Sequence, residues 1–207
     1  MEPTPKNRRV GIPGIDKLPW GEHLCVFFNT KDELLGLTVP FMQAGLEDNE
    51  FCMWITSDPV NEKDAFEALQ AVLPNAHQYL AHRQLEIVPA NQWYLVSGVF
   101  DAQIVLNNWV SKVQQAESKG FAGIRITGNP LWLQSEEDWA LFGSYEQAVH
   151  KGIRTEPVIA LCTYPMKICE SKNMLGMLSA HGSMLLPFRD KWQRIVLSSE
   201  GHGQPST

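Results

Sequence analysis

The sequence predicts an α/β protein in which helices cover both faces of a mostly parallel sheet. Three observations support this prediction: short apolar runs, helical periodicity between them, and turn or capping residues at their junctions. Strands that alternate with helices of about ten or more residues form right-handed βαβ units, and these units build parallel sheets. The length of 207 residues and the hydrophobic fraction of 44% are sufficient for one substantial core.

Each predicted strand is an apolar run bounded by polar or turn-forming residues. In chain order the runs are 23–28, 51–56, 85–88, 123–127 and 157–163, followed by a shorter pair at 183–186 and 194–197. The first run, His23–Phe28, is almost continuously apolar, which is typical of a strand buried on both faces of a parallel sheet. We expect the short C-terminal pair to form antiparallel edge strands that close the sheet.

Helices are predicted where apolar residues recur at intervals of three and four after a capping residue. The predicted helices cover about 31–46, 61–73, 98–113, 136–150 and 168–179. Thr30 with Glu33, and Ser135 with Asp138, have the spacing of a capping box. Ser97 is the predicted cap of the third helix.

The two ends of the chain differ in composition from the part between them. Residues 1–20 are rich in proline, glycine and charge, and we expect an irregular lead-in. Residues 198–207 are polar, and we expect a disordered tail. A single domain over residues 21–197 is therefore predicted.

Composition argues against several classes of partner. The formal net charge is −6, and the short basic group Lys6, Arg8 and Arg9 is interpreted as a solvated tail, so direct nucleic-acid binding is not expected. We find no signal peptide and no apolar run of the roughly 18 residues that a membrane span requires. The four cysteines lack a tight pairing motif and are interpreted as free thiols of a cytoplasmic protein.

The turn after the first strand lacks a phosphate-binding loop. Such a loop needs glycines, so that backbone N–H groups can cradle phosphates, and a lysine that neutralises them. Here the turn has no leading glycine, and Asp32 and Glu33 place negative charge where phosphate would bind. The strand at 123–127 carries Arg125 where ATPases of this kind usually have a metal-binding carboxylate. We therefore expect no catalytic residue, no metal ligand and no cofactor.

A small-molecule ligand is expected beyond the carboxyl ends of the strands, where open parallel sheets bind their ligands. Trp93, Trp132 and Tyr164 follow predicted strands, and aromatic side chains there can wall an apolar pocket. Packing beneath loops is the alternative interpretation of all three.

Two polar residues in predicted strands have both a structural and a ligand-binding interpretation. Arginine is almost never fully buried unless it is paired, so Arg125 predicts an internal ion pair with Glu146 or Glu50. The alternative is a guanidinium that binds an anionic or carbonyl ligand. His23 opens the first strand, either as a hydrogen-bonded core histidine or as a ligand contact.

Cys25, Cys52 and Cys162 all lie in strands that are expected to be neighbours. Buried cysteines usually behave as small hydrophobic residues. A metal or redox site made of the three thiolates is the alternative, although their spacing carries no zinc signature. Cys162 is retained as a candidate ligand contact because it precedes Tyr164 at a strand end.

Several segments, taken together, resemble the MEDS family of sensory domains. In chain order they are Gly21–Cys25, Phe41–Glu50, Gly123–Gly128, Tyr145-Glu146, Cys162–Tyr164 and His181. The resemblance spans about residues 20–187, and it departs from the family pattern at Asn49, where a glycine is common. The family occurs in methanogens and methylotrophs and includes a dichloromethane-responsive regulator. It implies a RecA-like, three-layer α/β/α fold without the ATP loop.

The resemblance implies a non-catalytic domain that senses a small hydrocarbon-derived or one-carbon metabolite. Its expected partner is an output domain or a regulatory protein. No membrane association is expected. A homodimer is plausible by analogy with other stand-alone sensory domains. No output domain is recognisable in the 207 residues. The alternatives are a thiol or metal redox sensor, a degenerate nucleotide-binding switch, and a scaffold that dimerises through exposed aromatic residues.

Overall fold

The computed structural model describes residues 7–96 and 98–197. Its strands are β1 (Arg8–Arg9), β2 (Lys17–Leu18), β3 (Glu22–Phe28), β4 (Phe51–Thr56), β5 (Leu85–Pro89), β6 (Ile124–Gly128), β7 (Val158–Pro165), β8 (Ser183–Phe188) and β9 (Lys191–Val196). Its α-helices are α1 (Lys31–Glu47), α2 (Glu62–Val72), α3 (Ala76–Ala81), α4 (Ala90–Tyr94), α5 (Ala102–Ser118), α6 (Glu136–Ile153) and α7 (Ser171–Ala180). Within the described residues, none of these helices has the length and apolar character needed to cross a membrane.

The central sheet has seven strands in the order β5-β4-β6-β7-β3-β8-β9. All neighbouring pairs from β5 to β8 are parallel, and β9 is antiparallel to β8. This confirms the predicted mostly parallel sheet with antiparallel pairing at its C-terminal edge. Within that edge, β8 runs parallel to β3, so β9 alone reverses direction.

Two apolar clusters cover the two faces of this sheet. The first includes Leu34 from α1 and Leu69 from α2, whereas the second includes Val105 from α5 and Phe142 from α6. Because successive side chains of a strand point to opposite faces, neighbouring residues of β3 belong to different clusters. Helices therefore lie on both faces, and the layers are those predicted.

The N-terminal segment is more ordered than its composition suggests. β1 and β2 pair as an antiparallel ribbon, and Val10, Ile12 and Leu18 are buried in the first cluster. Gly11 has a φ of 81°, and a Cβ there would lie 2.1 Å from the carbonyl oxygen of Pro40 in α1. Residues 7–20, predicted as an irregular lead-in, thus contain a two-stranded ribbon and pack directly on α1.

The capping boxes of Thr30 with Glu33 and of Ser135 with Asp138 are confirmed. The third long helix starts later than predicted: it begins at Ala102, and the Asp101 side chain accepts hydrogen bonds from two backbone N–H groups of its first turn. The predicted cap, Ser97, lies outside the described residues. The short helices α3 and α4 were not predicted, because neither is long enough to show a helical period.

Replacing Ser135 by alanine should lower the free energy of unfolding by about 1 kcal/mol, because the backbone N–H of Asp138 loses its acceptor. Ser144→Ala is the matched control in the same helix, since the exposed Ser144 hydroxyl only bonds the carbonyl of Ala140. Its effect should stay within about 0.5 kcal/mol. Urea unfolding of both variants measures the difference, and equal losses would contradict the capping role.

Candidate functional site

The turn between β3 and α1 is closed by its own side chains. The backbone N–H groups of Asn29 and Thr30 lie 2.7 Å and 3.4 Å from one carboxylate oxygen of Glu33. The N–H of Glu33 donates to the hydroxyl of Thr30 at 3.1 Å. In nucleotide-binding relatives of this fold, N–H groups at this position hold phosphate. Here a carboxylate of the chain occupies them.

Arg125 is fully buried and is paired on the α1 side of the sheet. Its Nε donates to the Glu50 carboxylate at 2.7 Å. Its other nitrogen atoms donate to the carbonyl oxygens of Arg9, Val10 and Phe41 at 2.7 to 3.2 Å. All three nitrogen atoms are thus engaged inside the protein, and the geometry favours the structural interpretation over ligand binding.

Glu50, rather than Glu146, is the partner of Arg125. Glu50 is also fully buried, and its second oxygen accepts a hydrogen bond from Arg8 at 2.8 Å, so one carboxylate joins two guanidinium groups. A Cβ on Gly45 would lie 2.7 Å from the sulfur of Cys52 and 2.9 Å from the Arg125 side chain. The Arg125–Glu50 ion pair therefore requires glycine at position 45 of α1, because a side chain there would overlap Arg125.

A second polar cluster lies on the opposite face of the sheet, beneath α6 and α7. The His–Glu–Cys cluster consists of His23, Glu146, Cys162 and His181, and one ligating atom from each lies within 4.8 Å of the others. The Nε2 of His23 is 3.1 Å from a carboxylate oxygen of Glu146 and 3.3 Å from the sulfur of Cys162. The same oxygen is 3.7 Å from that sulfur and 3.6 Å from the Nε2 of His181.

Four separate elements bring these side chains together. β3 supplies His23 and the neighbouring strand β7 supplies Cys162. Cys25 pairs with Cys162 across the two strands, so His23, two residues before Cys25, is on the same face as Cys162. Glu146 lies in α6, and His181 is the residue at the C-terminal cap of α7.

Hydrogen bonding fixes the orientation of the His181 ring. Its Nδ1 lies 2.7 Å from the carbonyl oxygen of Met177, which can only accept, so Nδ1 carries the proton. His181 therefore caps one of the last carbonyls of its own helix. The lone pair of Nε2 then faces the cluster, where the hydroxyl of the fully buried Tyr164 is 3.4 Å away.

Burial disfavours charge throughout the cluster. It lowers the pKa of His23 and of His181 to about 3, helped in each case by a neighbouring histidine. It raises the pKa of Glu146, and it raises the pKa of Cys162 with help from the nearby Glu146. Neutral imidazoles, a carboxyl group and a thiol are therefore the favoured forms. The rings of His23 and His181 stack at 3.9 Å between centroids.

A cavity of about 750 Å³ adjoins the cluster at the amino end of β3. Its walls include His23, His181 and His150, and the His150 ring lies 5.7 Å from that of His23. A second cavity, of about 580 Å³, lies beyond the carboxyl ends of β6 and β7 and is lined partly by Trp139 and Met166. Open parallel sheets usually bind ligands beyond the carboxyl ends of their strands, and this rule predicted only the second cavity.

The predicted aromatic contacts lie apart from both cavities. Trp132 packs in an aromatic cluster, with ring centroids 5.1 Å from Phe100 and 5.8 Å from Tyr94. Trp93 is buried against Trp109 at 6.4 Å. Of the six predicted ligand contacts, the structure brings His23, Cys162 and Tyr164 together and places Trp93, Trp132 and Arg125 elsewhere.

The structure contradicts a site made of three thiolates. Cys52 lies on the Arg125 face, where its sulfur is 3.7 Å from the carbonyl oxygens of Met42 and Glu50. Cys25 and Cys162 lie on the other face, because alternate residues of a strand point to opposite sides. Burial also raises the pKa of Cys25 to about 12, which leaves little reactive thiolate.

Sequence comparison decides the family. The chain matches the family described as MEDS, the MEthanogen/methylotroph, DcmR Sensory domain, over residues 22–182. The protein belongs to the MEDS family. The earlier resemblance is thereby confirmed, and the matched range contains all four residues of the His–Glu–Cys cluster. Family membership assigns this MEDS domain a sensory, regulatory role.

A curated relative is consistent with that role. This MEDS domain is 26% identical over 184 residues to the transcriptional repressor DcmR of Methylorubrum extorquens, and the match covers 86% of the chain. The chain spans 65% of the length of that repressor.

Solved structures confirm the RecA-like fold of the MEDS domain. A KaiC-like protein from Pyrococcus horikoshii OT3 superposes with a TM-score of 0.60 at 13% identity, covering 92% of this chain and 87% of the other. The flagellar accessory protein FlaH from Methanocaldococcus jannaschii gives a TM-score of 0.52 at 12% identity, covering 90% and 79%.

Proposed function

We propose that this MEDS domain is a non-catalytic sensor that binds a small one-carbon or hydrocarbon-derived metabolite at the His–Glu–Cys cluster. The observation that carries the proposal is the convergence of four ligating side chains, from four elements, on the largely closed space beneath α6 and α7. Polar groups buried in this way cost free energy unless they find partners, and apolar residues would stabilise a core better. A binding role accounts for their presence.

The surroundings of the cluster support a small ligand. A cavity of about 750 Å³ adjoins the buried side chains of His23 and His181. Within the cluster, the Nε2 of His181 can accept a hydrogen bond, and the hydroxyl of Tyr164 can donate or accept one. The family description, with its methanogens and methylotrophs, favours a one-carbon compound.

The route to an output partner is proposed to run through the end of α7. Gly182 follows His181 and donates its N–H to the carbonyl of His23 at 3.1 Å, while its own carbonyl accepts from Leu197 at 2.9 Å. The cluster is therefore joined by main-chain hydrogen bonds to β3 and to the end of β9. A metabolite that binds two arrangements of this segment with different affinities would shift their populations. An output domain or a regulatory protein in contact with the segment would respond to that change.

A nucleotide-dependent switch is the second candidate, because the fold is shared with KaiC-like proteins. The turn that would hold phosphate is occupied by Glu33, and this supports the non-catalytic assignment. Isothermal titration with Mg-ATP should give no binding heat. A saturable heat would favour the switch.

The sensor proposal is tested with dichloromethane, methanol and methylamine as probes. At least one should raise the midpoint of thermal unfolding with increasing concentration, because a ligand that binds only the folded state stabilises it. Glu146→Gln should lose this response, whereas Glu137→Gln, an exposed change in the same helix, should keep it. If none of the probes shifts the midpoint, or if Glu146→Gln responds like the wild type, the proposal is wrong.

A further inference from the structure

We infer that His23, Glu146, Cys162 and His181 form a binding site for one divalent transition metal ion of the zinc type. The inference deepens the proposed function, since the ion would give the metabolite its point of attachment, but metal binding itself can be tested without any metabolite. Two imidazoles, one thiolate and one carboxylate are the donors that Zn²⁺ and Co²⁺ take in proteins. The softer sulfur and nitrogen donors disfavour Mg²⁺ and Ca²⁺.

The distances match a tetrahedral site. Zinc lies about 2.0–2.3 Å from nitrogen, oxygen and sulfur ligands, so neighbouring ligands of a tetrahedron are separated by about 3.3–3.8 Å. Four of the six separations in the cluster are 3.1, 3.3, 3.6 and 3.7 Å. The other two do not exceed 4.8 Å. An ion could enter with only small shifts of the side chains.

The second coordination shell is already in place at His181. Histidines that ligate metals usually donate their other ring N–H to a carbonyl or carboxylate, which fixes the tautomer. The Nδ1 of His181 donates to the Met177 carbonyl at 2.7 Å, so Nε2 presents its lone pair to the site. An imidazole held in this way is ready to coordinate.

A divalent cation would also match the charge of the cluster once its acidic groups are deprotonated. Among the residues that the structure describes, the only basic groups within ion-pair distance of the Glu146 carboxylate are the imidazoles of His23 and His181. This contrasts with Glu50, which contacts two arginines. On losing their protons, Glu146 and Cys162 would carry two negative charges in a closed space. One divalent ion would neutralise both.

The cavity of about 750 Å³ lies next to His23 and His181, whose side chains are buried and separate it from the rest of the cluster. The His23 edge of the cluster adjoins this cavity and is the proposed entrance. Tyr164, close to the Nε2 of His181, contributes a hydroxyl that can hydrogen-bond a molecule attached to the ion.

The test is a Co²⁺ titration of the full chain after treatment with a chelator. We expect one equivalent of Co²⁺ to give the visible bands of a tetrahedral site and a near-ultraviolet band from thiolate-to-cobalt charge transfer. Zn²⁺ should displace it. Cys162→Ser should lose the charge-transfer band, whereas Cys25→Ser, the facing residue on β3, should keep it. Glu146→Gln should bind Co²⁺ more weakly by at least about tenfold.

Circular dichroism of each variant shows whether it folds, and His181→Gln provides a second ligand deletion if Cys162→Ser does not. Absence of a tetrahedral Co²⁺ spectrum in the folded wild-type chain would overturn the inference. A charge-transfer band that survives in folded Cys162→Ser would overturn it as well, since the ion would then bind elsewhere. A metal-loaded chain that ignores the one-carbon probes refutes the sensor proposal alone, and a metal-free chain that responds to them refutes the metal site alone.

Discussion

Replacing Glu50 by leucine is expected to lower the free energy of unfolding by about 3–5 kcal/mol. Glu50 is fully buried and accepts hydrogen bonds from Arg125 at 2.7 Å and from Arg8 at 2.8 Å. Without it, the guanidinium of Arg125 keeps its positive charge inside the protein with only carbonyl oxygens as partners. Urea unfolding followed by circular dichroism measures the loss.

The matched control is Glu47→Leu, which removes a carboxylate from the partly exposed ion pair with Arg9. Ion pairs near the surface contribute about 0–1 kcal/mol, so this variant should stay close to the wild type. The double variant Glu50→Leu with Arg125→Met should regain part of the lost stability, because the fully buried charge of Arg125 is removed together with its partner. Similar losses in Glu50→Leu and Glu47→Leu would show that the buried pair has no special role.

Replacing Phe142 by alanine is expected to cost about 3–5 kcal/mol, the usual range for a large ring removed from a core. Phe142 is 1% exposed. Its ring lies 5.3 Å from that of Tyr145 and 5.7 Å from those of Tyr94 and Trp132. Its removal would leave a cavity walled by aromatic rings that are too large to close over it.

Leu141→Ala is the control for this change, because Leu141 precedes Phe142 in α6 and is 51% exposed. Its effect should stay within about 0.5 kcal/mol. Thermal and urea unfolding of the two variants separate the loss of packing from the gain in helix propensity, which both changes share. If the two variants are equally stable, the aromatic cluster does not support the second face of the sheet.

Local sequence pattern was enough to predict most elements of the sheet. The run His23–Phe28 and the cap at Thr30 depend on neighbours in the chain, and both were found. The β1–β2 ribbon was missed because two-residue strands have no period, and proline and glycine around them suggest a loop. Its order depends on contact with α1, at Gly11 and Pro40, which no local pattern encodes.

The candidate site could be predicted only in pieces. His23 and Cys162 were selected separately, and they meet because β3 and β7 are neighbours in the sheet, an order that periodicity does not give. The partner of Arg125 stayed open between Glu50 and Glu146 for a similar reason, since the choice depends on which face of the sheet each side chain occupies. The position of His150 on the cavity wall was not predicted, because a lone histidine in an amphipathic helix carries no signal of its own.

The interior strand β3 lies near the start of the chain, whereas its two partners, β7 and β8, come from the last quarter. Pairing between such distant segments requires the closure of a long loop, which slows folding. During synthesis, β3 therefore stays unpaired along both edges until Val158 and the residues after it have left the ribosome. An exposed apolar strand edge promotes aggregation in that interval. We expect fragments that end before β7 to misassemble rather than fold, so the C-terminal quarter decides whether the domain forms.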